Sequence, residues 1–248
     1  MNSSLFYSEV DSKRFGKNIH RGVIHSIDLE KLKEYIKING VELLILRVPV
    51  TLSETIYKLN VLSQSVILAD TLVYYHADLT QDFPKKLKNE IGFVQVDLQN
   101  GKVVQDIIPQ IFANYTNHYS SNPSLDRKLI TQGYIEWATG YVRQKDETKM
   151  AWVVYKEDVP IGFATCSQNP QIKECEGVLY GVLPDFTGGG IYSDIIRFTQ
   201  NYFHENGFQK MKVSTQIQNF AVQKVWSREG FSLKEAFYTF HITCNDSV

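Results

Sequence analysis

The stretch Tyr180-Gly-Val-Leu-Pro-Asp-Phe-Thr-Gly-Gly-Gly-Ile-Tyr192 decides how this chain is read. A strand-like apolar run over 175–183 enters it, and an amphipathic pattern over 191–206 leaves it, so it joins a buried strand directly to a helix. The first turn of a helix carries N–H groups without intrahelical acceptors and the positive end of the helix dipole. A glycine-rich approach to that end forms a cradle for phosphate oxygens, because the missing Cβ atoms let a ligand reach the backbone. The loop is not a P-loop, since the Lys-Ser/Thr pair is absent. Nor is it the Rossmann fingerprint, since its strand does not open a βαβ dinucleotide unit. Three consecutive glycines also make an ordinary flexible turn, and on the loop alone that reading stands ahead of the cradle.

Working outward, three strands over 149–155, 160–168 and 175–183 are joined by turns at Glu157-Asp158 and Asn169-Pro170, which makes them antiparallel neighbours. After the loop come a helix over 191–206 stopped by Gly207, a strand over 210–216, a helix over 219–229 and a strand over 231–243. Upstream, a strand over 93–98 and a helix over 102–115 precede a loop and a long helix over 125–143. The inner face of that long helix is expected to carry Leu129, Ile130, Tyr134, Trp137 and Tyr141. The beginning of the chain reads β-α-β-α-β. A strand over 18–25 is followed by a helix over 28–39, capped by Asp28 and ended by Gly40. A strand over 42–48, a helix opened by the capping box Thr51-x-x-Glu54, and a strand over 66–79 complete this piece. The polar segment 80–90 reads as a linker between two domains.

Two motifs at this separation resemble the GNAT superfamily of acyl-CoA-dependent N-acyltransferases. Its pyrophosphate loop has the form V-x-P-x-Y-(R/Q)-G-x-G-(I/V)-(G/A). Val182, Pro184, Phe186, Thr187, Gly188, Gly189, Gly190, Ile191 and Tyr192 fit that frame. Downstream, Asn219, Val222, Trp226, Gly230 and Phe231 are similar to the family's N-x-x-A-x-x-x-Y-x-x-x-G-F. The resemblance covers roughly residues 91–248. It implies an α/β chain, α+β in some schemes. The GNAT domain over 91–248 would hold a mixed, mostly antiparallel sheet with flanking helices, preceded by a smaller truncated GNAT-like domain over 1–88.

The resemblance further implies acyl-CoA, carrying an acetyl or short hydroxyacyl group, as co-substrate. Val182, Leu183, Thr187 to Tyr192, Asn219 and Trp226 would be its binding residues. The strand ending at Leu183 would splay from the strand over 210–216 and receive the pantetheine arm, with main-chain groups at Gly181 and Val182 stabilising the oxyanion. Thr187 replaces the usual Arg or Gln, Tyr192 stands where Gly or Ala is common, and Trp226 takes the place of a tyrosine that many members use as general acid. An indole N–H is a poor acid, so that role is absent or supplied elsewhere. Glu176, expected to share a face with Val178 and Tyr180, is a candidate base. Tyr238 and His241 are weaker acid candidates, and each is as readily a packing residue.

The acceptor is read from the stretch Tyr119-x-x-Asn122-Pro and from Gly133-Tyr134-x-x-Trp137. These resemble a GNAT branch that acylates amino groups on nucleotide-linked (dTDP) amino-dideoxyhexoses for surface-polysaccharide, O-antigen and lipopolysaccharide biosynthesis. Tyr119, Asn122 and Tyr134 are the substrate residues that this implies, although for Tyr134, on a helical face with Trp137 and Tyr141, the core reading stands ahead of ligand contact. A peptide or aminoglycoside amine is an alternative acceptor, although only Asp126 lies near to attract a cation. A catalytically inactive CoA-binding module is a third reading, motivated by Trp226.

Composition limits the rest. With 26 Lys and Arg against 27 Asp and Glu, the formal charge is -1, and no basic surplus exists to displace counterions from nucleic acid. The six histidines and three cysteines show no metal-ligand spacing, so no metal is expected. Cys166, Cys175 and Cys244 read as buried or free thiols in a reducing compartment. No apolar run approaches the about 20 residues of a membrane helix, and the first residues lack a secretory pattern. A cytoplasmic protein with no membrane insertion is therefore expected, and the resemblance implies a homodimer.

Overall fold

A computed structural model describes residues 4–62, 65–97, 100–143 and 146–244. The elements begin with β1 (Ser4–Tyr7), α1 (Glu9–Phe15), β2 (Ile19–Val23), α2 (Leu29–Asn39), β3 (Leu43–Pro49), a 3-10 segment (Val50–Val61) and β4 (Ser65–Asp78). Next come β5 (Gly92–Val96), α3 (Lys102–Ile111), a 3-10 turn (His118–Ser121) and α4 (Arg127–Arg143). Then follow β6 (Lys149–Lys156), β7 (Val159–Asn169), β8 (Glu174–Val182), a 3-10 turn (Pro184–Phe186), α5 (Ile191–Glu205), β9 (Lys210–Gln216), α6 (Phe220–Arg228) and β10 (Ser232–Thr243). Leu98, at the end of the expected strand over 93–98, lies outside the described residues. By contact the chain divides into two units: Met1–Val73, Thr116–Ile130 and Glu235–Val248, and Tyr74–Tyr115 with Thr131–Lys234.

In the first unit, α2 forms where its capping signals lie. Asp28 accepts from the Lys31 N–H, and Gly40 closes the helix in the left-handed region at φ 57°. Leu32 and Ile36 face inward and pack with Leu44, Leu46 and Val48 of β3. The alternate residues Leu43 and Ile45 pack with Ile19 and Leu125 on the other face. Burial of each such side chain contributes about 1.5–3 kcal/mol. Strand order here is β1-β2-β3-β10-β4, with β2 parallel to β3 and β10 antiparallel to it.

The segment expected as a capped helix is a kinked 3-10 stretch instead. Pro49 occupies the N-cap without a side-chain bond, and Leu52 at φ -95°, ψ 18° interrupts the helical backbone. Because the turn begins at Val50, Thr51 already lies inside it and cannot act as the cap that Thr51-x-x-Glu54 promised. β1 and α1 precede the expected first strand and were not evident from the pattern.

In the second unit the order is β4-β9-β8-β7-β6-β5. β6 to β8 are antiparallel neighbours, as expected, β5 adds antiparallel to β6, and β8 runs parallel to β9. The result is a mixed, mostly antiparallel sheet with flanking helices, the α/β arrangement read from the sequence. Phe163, Ile161, Ile195, Phe203 and Ile108 are among its fully buried side chains. The inner face of α4 is carried by Tyr134, Ala138 and Val142, whereas Trp137 is 49% exposed. The expectation of Trp137 on that inner face is thus corrected: three residues after Tyr134 the helix surface has already turned to solvent.

Candidate functional site

β8 is distorted where it matters. Its register against β7 slips between Thr165 and Cys166: Thr165 faces Leu179, Cys166 faces Gly177, and Val178 is left as the extra residue of a bulge. A one-residue insertion reverses the alternation of side chains beyond it. Tyr180 accordingly points to α5, where its hydroxyl lies 3.2 Å from both Cys166 Sγ and Thr199 Oγ1. Glu176 is opposite Ser167 and pairs with Lys212 Nζ at 3.0 Å on the neighbouring strand. The expectation that Glu176, Val178 and Tyr180 share a face is therefore wrong. Parallel pairing of β8 with β9 runs from Glu174↔Lys210 to Gly177↔Val213, and among the described residues it stops there. Val178 to Val182 lie beyond the end of that ladder, which is the splay expected for this strand pair.

The end of β8 is tightly built. A Cβ on Gly181 would lie 2.4 Å from Ile111 Cγ2, and one on Gly162 would lie 2.6 Å from the Gly181 carbonyl oxygen. Leu183 donates its N–H to the Ile161 carbonyl, and the Pro184–Phe186 turn follows. Thr187 donates its hydroxyl hydrogen to the Pro184 carbonyl at 2.8 Å, which leaves only its oxygen lone pairs available.

The glycine loop opens outward. Gly188 and Gly190 have φ of 85° and 84°, conformations that cost an ordinary L-residue roughly 1–2 kcal/mol. Cβ atoms at Gly188 or Gly189 would meet nothing within 4 Å. Gly190 is the N-cap of α5 and supplies no side-chain cap, and the helix's own ladder starts with the Asp194 N–H donating to the Gly190 carbonyl. The loop therefore presents an exposed, uncapped helix N-terminus with the positive dipole end, the backbone form of an anion cradle. Among the described residues no group of three His, Cys, Asp or Glu side chains could hold a metal ion.

Behind the loop lies a buried ionic group that sequence reading did not find. Asp194 is wholly buried and accepts from the Lys88 N–H, the Asn89 N–H, Asn89 Nδ2 and Arg197 Nη1. Arg197 reaches Glu229 with two further bonds, Nε to Oε2 at 2.8 Å and Nη2 to Oε1 at 2.6 Å. Lys85 is held by Asn201 and by the Glu229 carbonyl, so the segment read as a linker is strapped along α5. Nothing in its composition distinguishes a strap from a linker, because both are polar and short of apolar residues.

Trp226 is 3% exposed and packs against Tyr75 with centroids 5.6 Å apart. Its Nε1 is buried. Burial pushes the nearby Tyr192 phenol above its ordinary pKa, a hydrogen bond from the Trp226 indole opposes that rise, and Tyr115 adds to it. Asn219 joins β9 to α6 by donating from Nδ2 to Thr215 Oγ1. Tyr134 stacks on Phe112 at 4.6 Å with its side chain in the core.

In the first unit, Tyr119 donates to Asp11 Oδ1 at 2.6 Å and receives a bond from Arg21. Asn122 is 3% exposed and is spent on Ser124 and His241. The polar groups of both are thus engaged by protein. His241 is fully buried, and Tyr238 is half-buried in register with Val48. The thiols are buried too: Cys166 is pushed up to about 12 and Cys244 to about 11, chiefly by burial, so neither is a ready nucleophile.

A two-unit α/β chain with a splayed strand pair and an uncapped glycine loop defines the GNAT fold. Residues 111–231, which contain both motifs, match the sequence profile described as the acetyltransferase (GNAT) family. That match spans just under half of the chain, and the solved structures that resemble it share its fold. The chain is similar in fold to a GCN5-related N-acetyltransferase from Sphaerobacter thermophilus, with TM-score 0.66, 9% identity and coverage of 96% of this chain and 75% of that one. It is also similar to a conserved protein of unknown function from Staphylococcus epidermidis, with TM-score 0.60, 14% identity and coverage of 93% and 86%. A tandem GNAT protein from the clavulanic acid biosynthesis pathway gives TM-score 0.58 at 9% identity, covering 94% and 77%. No curated protein matches the sequence.

Proposed function

We propose that the chain is an N-acyltransferase that moves an acetyl or short hydroxyacyl group from acyl-CoA to the amine of a dTDP-linked amino-dideoxyhexose, for O-antigen or related polysaccharide assembly. The observation that carries the donor half is the exposed Gly188–Gly190 loop on an uncapped helix, beside a strand pair whose ladder stops at Gly177. Backbone N–H groups from Gly188 to Tyr192 fit a pyrophosphate, and β8 beyond Gly177 offers main-chain groups to a pantetheine arm. The bound donor supplies a thioester carbonyl for direct attack by the neutral amine. The protein's part is to hold the two together, to direct a main-chain N–H near Val182 at the developing oxyanion, and to let the amine's proton pass to a base or to water. Glu176 is half-buried with Lys212 as its ion-pair partner, and a base role requires it to give up part of that contact.

The acceptor half rests on the resemblance of the 119–137 stretch, with the exposed Trp137 indole as the flat face offered to a sugar or pyrimidine. Within this reading Tyr119, Asn122 and Tyr134 are the acceptor residues that the resemblance implies, and the Tyr119 hydroxyl and Asn122 carboxamide are bonded to protein groups in this structure. In this reading residues 1–88 are a truncated GNAT-like domain and 91–248 the acyltransferase domain, although by contact 116–130 and 235–248 group with the first unit and 74–88 with the second. The working form in this reading is a cytoplasmic homodimer.

Acyl-CoA incubated with a panel of dTDP-3-amino and dTDP-4-amino sugars, followed by thiol release, tests the proposal. Turnover confined to peptides or aminoglycosides would move the acceptor while keeping the donor. A second reading, an inactive CoA-binding module, is favoured by Trp226 in place of an ionisable residue. It predicts CoA binding by calorimetry without acyl transfer to any amine.

A further inference from the structure

We infer that Asn89 is a positioning residue for the phosphate-binding loop: its carboxamide orients the Gly189–Gly190 peptide so that the Gly190 N–H faces the ligand. The inference rests on the donor half of the proposed function. Asn89 Nδ2 donates to the Gly189 carbonyl at 3.1 Å and to Asp194 Oδ2 at 2.7 Å, so both amide hydrogens are used and the side chain bridges loop and helix. In a trans peptide the C=O and the following N–H point in opposite directions. Holding the Gly189 oxygen toward Asn89 therefore turns the Gly190 N–H away from it, toward the open side where a Cβ on Gly188 or Gly189 meets no atom within 4 Å.

The loop needs such a clamp. A peptide flanked by two glycines rotates with little steric resistance, and glycine loses the most conformational freedom when it is ordered. A flip of this single unit would aim a carbonyl oxygen at phosphate in place of an N–H. Asn89 is itself fixed from behind. Its own N–H and that of Lys88 bind the fully buried Asp194 carboxylate, which Arg197 completes, and Arg197 is anchored in turn by Glu229. Asp194 sits in the first turn of α5, so the clamp is referenced to the same helix end that binds the anion.

The experiment compares wild type and Asn89→Ala of the full chain. CoA is titrated by calorimetry, and pantetheine, which lacks the pyrophosphate, is titrated by NMR. The expected result is a CoA Kd raised about tenfold with the pantetheine Kd unchanged. Equal weakening of both, or of neither, overturns the inference. Should the variant fail to fold, the wild-type Gly190 amide resonance decides: it should be among those shifted most by CoA, and a Gly190 amide that stays still while Ile191 and Tyr192 respond overturns the inference equally. Absence of any CoA binding by wild type sinks the functional reading and with it this one, a result distinct from the others.

Discussion

His118 Nδ1 and His241 Nε2 lie 2.8 Å apart inside the first unit, with Arg21 3.4 Å from the far nitrogen of His118. Burial is the main cause that holds both imidazoles neutral. For His118 the neighbouring His241, Arg21 and Arg47 add to it. For His241, pushed down to about 4, Arg21 adds and Asp11 opposes. A neutral pair makes the bond with one ring donating and the other accepting, whereas two imidazolium rings would place donor against donor.

The acid stability of the protein should follow from this pair. In the unfolded chain each histidine takes a proton near pH 6.5, while in the folded chain His241 resists until about 4. Between those values the unfolded state binds more protons, so stability present above about pH 6.5 is lost as the pH falls toward 4. The loss attributable to His241 is on the order of 3 kcal/mol. Thermal unfolding from pH 7.5 to 4 should show Tm falling through this window. His241→Gln should start lower at pH 7.5 and fall less, and parallel curves for the two proteins would refute the assignment.

Replacement of Gly190 by valine should damage CoA binding more than folding. At φ 84° a β-branched residue is strained by roughly 1–3 kcal/mol, and its methyls would stand beside the N–H groups offered to phosphate. Gly189→Ala is the control, since its Cβ meets nothing within 4 Å and its φ lies outside the left-handed region. Calorimetry should give at least a tenfold loss of CoA affinity for Gly190→Val, with Tm lowered by several degrees. Gly189→Ala should keep the wild-type Tm. Unchanged CoA affinity in the valine variant would mean that the phosphates bind elsewhere.

The indole of Trp226 makes a kinetic prediction. Because indole does not ionise in the working range, residue 226 contributes no limb to the pH profile of kcat. Trp226→Tyr installs a phenol, whose pKa of about 10 before perturbation adds a group able to protonate a leaving thiolate. The variant should gain an alkaline descending limb in kcat that the parent lacks. It should also lose about 1–3 kcal/mol of stability from the smaller ring in a site only 3% exposed. Identical pH profiles would show that residue 226 is remote from the leaving group.

What was legible in the sequence was local. Asp28 and Gly40 announce α2 because caps act within a few residues, and the Gly188–Gly190 run announces the start of α5 for the same reason. The strand over 210–216 was read with its observed bounds because turn residues flank it. What escaped depends on partners distant in sequence. The bulge at Val178 exists only in the register between β7 and β8, so the face of Glu176 could not be read from alternation within one strand. Tyr119 and Asn122 look like ligand residues in a loop until Asp11, Arg21 and His241 arrive from 108, 98 and 119 residues away. Asn89 stands 100 residues from the glycine whose carbonyl it holds. Even Thr51 failed as a cap for a neighbour's reason, since Pro49 begins the turn two residues early.

The Asp194–Arg197–Glu229 group behind the loop offers the sharpest stability test. Asp194 and Glu229 are 0% and 4% exposed, and Arg197 bonds to both. Arg197→Leu keeps bulk on α5 but leaves two carboxylates buried with one fewer cationic partner, which should cost about 3–5 kcal/mol near neutral pH. The denaturant midpoint of the variant at pH 7.5 should fall accordingly. An unchanged midpoint would mean that Arg197 contributes through packing of its stem alone. In that case CoA affinity, which depends on Asp194 holding Asn89 in place, should also be unchanged in the variant.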